Sequence, residues 1–147
     1  MQGAQTFRGI ATISFWADDL DKAKAWYTEL LGIEPYFERP GYAEFRLGDY
    51  QQELGLIDRR YAPAGLAKGP GGATLYWHVD DISAVLDKLL SMGVEELEAM
   101  KERGGGFITA SVVDPFGNII GIMNNPHYVK VRDSIRGEWF AGGHVCL

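Results

Sequence analysis

The sequence predicts an α+β fold of two βαβββ modules, and three observations carry that prediction. Residues 11–32 (ATISFWADDLDKAKAWYTELLG) and 73–93 (ATLYWHVDDISAVLDKLLSMG) repeat one pattern of strand, Asp-Asp and helix, closing on Leu-Leu and glycine. Three strand-like runs follow each copy. A glycine-rich stretch, YAPAGLAKGPGG at 61–72, separates the copies.

The opening strand of each copy is rich in β-branched and aromatic residues, which suit a pleated, half-buried surface. In the first helix Leu20, Ala23, Tyr27, Leu30 and Leu31 keep helical spacing; in the second, Ile82, Val85, Leu86 and Leu89 do. Asp19 and Asp81 are placed to cap the helix N-termini, and Gly32 and Gly93 to take the left-handed turn that ends them. The strand runs are expected at about 33–39, 42–48 and 51–57, then 94–101, 106–113 and 118–124. Before the last of these, Asp114-Pro115-Phe116-Gly117-Asn118 is strong turn chemistry: Pro115 fixes φ and Gly117 can take φ > 0. The expected organisation is one domain over 1–147. Module one spans about 8–60, the linker about 61–72, module two about 73–125 and a tail 126–147.

Composition narrows the function. A chain of 147 residues, 46% hydrophobic, is long enough to bury a substantial core. Its net charge of −6 argues against nucleic acid or an anionic membrane as partner, since both need a basic patch. Cys146 is the single cysteine, so no intrachain disulfide framework or cysteine-based zinc site is possible. No run approaches the roughly 20 apolar residues of a membrane span. A cytoplasmic location is the expectation. In the tail, Trp139 and Phe140 are too apolar for a free end and are expected to pack on the domain or a partner, or to cover the ligand site. Nothing supports a ligand role for His127 or His144.

The two strand-Asp-Asp-helix openings, the pair Trp26-Tyr27 before Leu31-Gly32, and DPFGNIIGI at 114–122 together resemble the vicinal oxygen chelate superfamily. That group includes glyoxalase I, extradiol dioxygenases, fosfomycin-resistance enzymes and the bleomycin-resistance proteins. The resemblance covers roughly residues 8–125. It implies paired modules forming a concave mixed sheet with a cleft, commonly in a homodimer. Enzymes of the family hold one divalent metal with side chains from the first and last strands of each module. Registered on its Asp-Asp and Gly-Asn landmarks, this chain has Thr12 and Thr74 at the first-strand positions, and Gly55 and Gly121 at the last-strand ones. Threonine is a weak neutral ligand and glycine has no side chain, whereas divalent metals want His, Cys or carboxylates. No metal and no other cofactor is expected. A register slip of two residues would offer only one good ligand, Glu53.

Strand alternation lists the expected cleft face. It carries Thr12, Ser14 and Trp16; Thr74, Tyr76 and His78; Glu53, Gly55 and Ile57; Ile119, Gly121 and Met123; and Tyr42, Glu44 and Arg46. Gly55 and Gly121, opposite aromatic residues, are expected to leave room for a flat ligand. The ligand-binding set is Trp16, Tyr76, His78, Glu53, Met123 and Arg46. His78 and Glu53 are candidate acid–base groups. His78 reads equally as a hydrogen-bonded strand histidine, Glu53 and Glu44 as solvated carboxylates, and Trp16 and Tyr76 as core or dimer interface. The favoured function is binding or sequestration of a small organic molecule, aromatic or cationic, by a chain lacking the usual metal site. The alternative is a lyase, isomerase or dioxygenase-type enzyme using Glu53 and His78, or non-standard metal chemistry.

Overall fold

Two four-stranded mixed sheets, each backed by one helix, make up the framework. The computed structural model describes residues 5–141, with side chains through Gly137. The side chains of Trp139 and Phe140, and residues His144 and Cys146, lie outside it. Chain contacts group the molecule into two units, Met1–Leu66 and Ala67–Leu147. The boundary falls inside the glycine-rich stretch.

In the first unit β1 (Thr12–Ala17) leads into α1 (Leu20–Leu31), then β2 (Phe37–Arg39), β3 (Tyr42–Leu47) and β4 (Gln52–Asp58). The strand order is β1-β4-β3-β2, with β1 parallel to β4 and the other pairs antiparallel. The second unit repeats it with β5 (Tyr76–His78), α2 (Ile82–Ser91), β6 (Glu95–Gly104), β7 (Phe107–Val113) and β8 (Ile119–Asn124). Its order is β5-β8-β7-β6, and β5 is parallel to β8. This is the α+β architecture of duplicated βαβββ modules that the repeat predicts.

The helix signals act as read. The Asp19 carboxylate accepts from the Lys22 N–H at 3.1 Å, and Asp81 does the same for Ala84 at 3.1 Å. Each thereby satisfies one of the donors that a helix start leaves unpaired. Gly32 and Gly93 take φ of 70° and 86°, where a side chain would be strained. Alternation then divides each sheet. In the first unit Phe15, Ala17, Ala43, Phe45, Leu54 and Leu56 bury against Ala23 and Tyr27 of α1. In the second, Ala110, Val112, Ile120 and Ile122 bury against Ile82, Leu86 and Leu89 of α2. Among the described residues the other face of the first sheet has no helix within its unit, whereas that of the second meets the start of α3 at His78.

Three elements differ from expectation. β5 covers only Tyr76–His78 and does not reach back to Thr74, which the sequence reading placed on it, because the chain before Tyr76 leaves the ladder after one bond, from Gly121 N–H to the Leu75 carbonyl. β2 begins at Phe37; residues 33–36 stay outside the ladder, apart from the Tyr36 N–H, which donates to Glu44 O. The tail forms a helix, α3 (Pro126–Ala141). Asn125 caps it through a side-chain bond from Tyr128 N–H at 3.0 Å, and Pro126 follows at the first helical position, where its missing N–H costs nothing.

Candidate functional site

Parallel and antiparallel registers set the helix-free face of the first sheet in level rows. Thr12, Glu53 and Arg46 form one row. Ser14, Gly55, Glu44 and Phe37 form the next, and Trp16, Ile57, Tyr42 and Arg39 the third. Three of the predicted ligand residues, Trp16, Glu53 and Arg46, therefore share one face.

Glu44 is the hub of that face. It is only 7% exposed, and a carboxylate so placed needs partners. Its Oε1 accepts from the Tyr42 hydroxyl at 3.0 Å and its Oε2 from Arg46 Nε at 3.0 Å. Glu53 stands diagonal to it across β3 and β4, close enough to act on the same carboxyl group. Burial pushes the Glu44 carboxyl up. The donors Tyr42 and Arg46, with neighbouring Glu53 and the Arg46 charge, outweigh burial and hold it below the usual carboxylate range. Partial burial, then the bond to Glu44 and the charges of Glu44 and Glu53, raise the Tyr42 phenol above its ordinary value; Arg39 opposes this. Tyr42 thus stays a donor.

Aromatic rings surround this polar centre. The Arg46 guanidinium lies 3.8 Å from the centre of the Tyr36 ring, a cation–π contact. Phe37 and Tyr42 stand 6.4 Å apart in a tilted pair. Tyr36 is 65% exposed and Phe37 48%, large apolar surface beside a charged cluster. The sequence reading placed Glu44 on this face by alternation but did not include Tyr36, Phe37 or Tyr42 in the ligand-binding set. The signal available was three aromatic residues within a seven-residue stretch of an edge hairpin.

The remaining predicted residues lie on the face of the second sheet turned away from α2. Tyr76, Gly121 and Ser111 are level, and so are His78, Met123 and Thr109. His78 is committed on both ring nitrogens. The Asn125 backbone N–H donates to Nδ1 at 3.1 Å, so the ring proton sits on Nε2, which donates to Asp80 Oδ1 at 3.0 Å. The ring also stacks on Tyr128 at 4.8 Å and 14°. His78 therefore ties β5 to the start of α3, which is the structural half of its sequence reading. A general base needs a free lone pair, and here that lone pair is already in use.

One expectation needs correction. Gly55 and Gly121 do not leave open space. A Cβ at Gly55 would come 2.9 Å from Tyr42 Cε1, and one at Gly121 would come 2.7 Å from Tyr76 Cδ1 and 2.6 Å from the Leu75 carbonyl oxygen. Tyrosine rings fill both places. In the sheets Thr12 is level with Glu53, Gly55 with Ser14 and Gly121 with Tyr76. Of these same-face neighbours only Glu53 is a carboxylate. Among the described residues no group of three or more His, Cys, Asp or Glu side chains is placed to hold a metal ion. These residues do not fit the family's metal centre, and no step is derived through one.

The comparisons with known proteins agree on the framework. The family model described as Glyoxalase/Bleomycin resistance protein/Dioxygenase superfamily matches residues 9–122. A glyoxalase-related enzyme from Fulvimarina pelagi is similar with a TM-score of 0.67 and 21% identity, covering 82% of this chain and 90% of that one. A lactoylglutathione lyase from Agrobacterium tumefaciens gives 0.62 and 22%, covering 82% and 96%. A glyoxalase/bleomycin resistance protein from Catenulispora acidiphila gives 0.57 and 26%, covering 78% and 96%. No curated protein matches the sequence. Likeness at 21% and 22% identity speaks to the fold alone.

Proposed function

Since the chain belongs to the glyoxalase/bleomycin resistance protein/dioxygenase superfamily, we propose that it binds a small planar organic cation on the helix-free face of its first sheet, without the family's metal. The observation that carries this reading is the Glu44–Glu53 pair, offset by one guanidinium, with Tyr36, Phe37 and Tyr42 beside it and Trp16 on the same face. Two carboxylates against one guanidinium give the centre one formal negative charge in excess. A cation placed there relieves the repulsion between the two glutamates, and the rings supply stacking surface and cation–π attraction. Carboxylate and aromatic contacts of about 1 kcal/mol each, added to apolar burial, reach micromolar affinity. The lyase, isomerase or dioxygenase-type alternative draws less support, because the His78 lone pair serves Asn125.

Binding is tested with proflavine, a planar aromatic cation whose fluorescence reports the complex. Trp16→Ala and Glu53→Gln are each expected to weaken binding about fivefold while the circular dichroism spectrum is kept. Unchanged affinity in both variants would remove this site from consideration. A homodimer is part of the same proposal, supported by the exposed aromatic residues of the strands. Light scattering that gives a mass near 16.3 kDa would refute it. Among the described residues no helix is long and apolar enough to cross a membrane.

A further inference from the structure

We infer that Tyr42 is the floor of this site and that Gly55 is a positioning residue that seats it. The inference rests on the binding reading above for the word floor, but the seating stands on geometry alone. Gly55 lies in the middle of β4, flanked by β1 and β3, where glycine gives up side-chain packing and backbone entropy. Its φ is not positive, so conformational freedom does not explain it.

The ring does. Tyr42 is level with Ile57, one same-face step along from Gly55, and its ring leans back across the glycine. A Cβ there would lie 2.9 Å from Cε1 and 3.1 Å from the phenol oxygen, too close for either to stay. That lean carries the hydroxyl to Glu44, which is the cross-strand partner of Gly55 itself. Gly55, Tyr42 and Glu44 thus form one locked unit, and Glu44 in turn holds Arg46 and stands beside Glu53. A ligand on this face meets a phenol ring where the sequence suggested a gap.

Protein labelled with ¹³C at the tyrosine ring carbon bearing the hydroxyl tests the seating without ligand. In the unaltered chain Tyr42 should titrate above the ordinary phenol range, for the burial and the Glu44 bond already described. In Gly55→Ala the displaced ring should titrate closer to that range. Glu44→Gln, which keeps the ring seated, separates loss of the charged partner from loss of the seat, because ring contacts to Gly55 Hα persist only there. An unchanged Tyr42 titration in Gly55→Ala overturns the inference. Should Gly55→Ala fold poorly, Gly55→Ala/Tyr42→Ala should recover stability by removing the obstructing ring; equal instability of the two variants also overturns it. With proflavine, Gly55→Ala and Tyr42→Ala should each lose about fivefold in affinity, and equal binding by all three proteins removes the floor role. Failure of the unaltered chain to bind proflavine sinks the binding proposal, and the ¹³C titration still decides the seating.

Discussion

The two units share strand order, the placement of α1 and α2 and a tyrosine laid over a last-strand glycine, yet the sheet faces turned away from those helices do different work. In the first, the residue level with the glycine on β3 is Glu44, and it gathers Tyr42, Arg46 and Glu53. In the second, the equivalent residue on β7 is Ser111, whose hydroxyl is buried and has no hydrogen-bond partner among the described residues. The polar investment there goes to His78, which fastens α3. A duplicated scaffold fixes where side chains stand, and one substitution per row decides whether a face becomes a charged hub or an anchor.

The glycines offer the sharpest way to break this comparison. Gly121→Ala should cost the most, about 3 kcal/mol in urea denaturation, because its Cβ meets the Leu75 backbone as well as the Tyr76 ring. Gly55→Ala meets only a side chain that can swing, so about 1 kcal/mol is expected. Equal losses would mean that the two seats are equivalent after all. Next in size, His78→Ala removes two hydrogen bonds and a stacking contact and should cost about 2 kcal/mol. Amide exchange should accelerate through the first turns of α3 while the first sheet is unaffected. Uniform loss of protection in both units would contradict the anchor role.

Smaller still is Glu44→Gln, with about 1–2 kcal/mol lost at neutral pH. The sign follows from the direction of its shift. A carboxyl held below its unfolded value stabilises the fold above that value, and the contribution disappears as pH falls through the folded one. The variant and the unaltered chain should therefore converge in stability on acidification. A difference that stays constant with pH would show that Glu44 acts through packing and not through charge.

Much of the fold was legible because its signals are local and repeated. The Asp-Asp openings, the helical spacing and the closing glycines each act within one turn, and the second copy checks the first. The exposed and buried faces also followed from alternation: Ile13 and Phe15 against Thr12 and Ser14 is a period of two that one residue of slip would invert. α3 was not legible from apolar periodicity, which this helix lacks; its plain signal is Asn125-Pro126. The site was legible as a list and not as an arrangement. Alternation put Glu44 and Glu53 on one face, but only register makes them diagonal neighbours. The tyrosine seats could not be read at all, since a glycine opposite an aromatic residue is the same string whether the ring lies over it or stands clear.

The parallel pairing that closes each sheet also bears on how the chain reaches its native state. β1 must find β4, and β5 must find β8, across nearly the whole of their modules, with Thr12 meeting Glu53 and Tyr76 meeting Gly121. The hairpins β3–β4 and β7–β8 need only short turns and can form within microseconds, before those distant partners arrive. Loop-closure entropy makes the parallel contacts the late and slow ones. Until they form, β4 and β8 each expose an unpaired edge of alternating apolar residues, so the interval between hairpin and closure is the stage at which a nascent module is most prone to pair with the wrong strand.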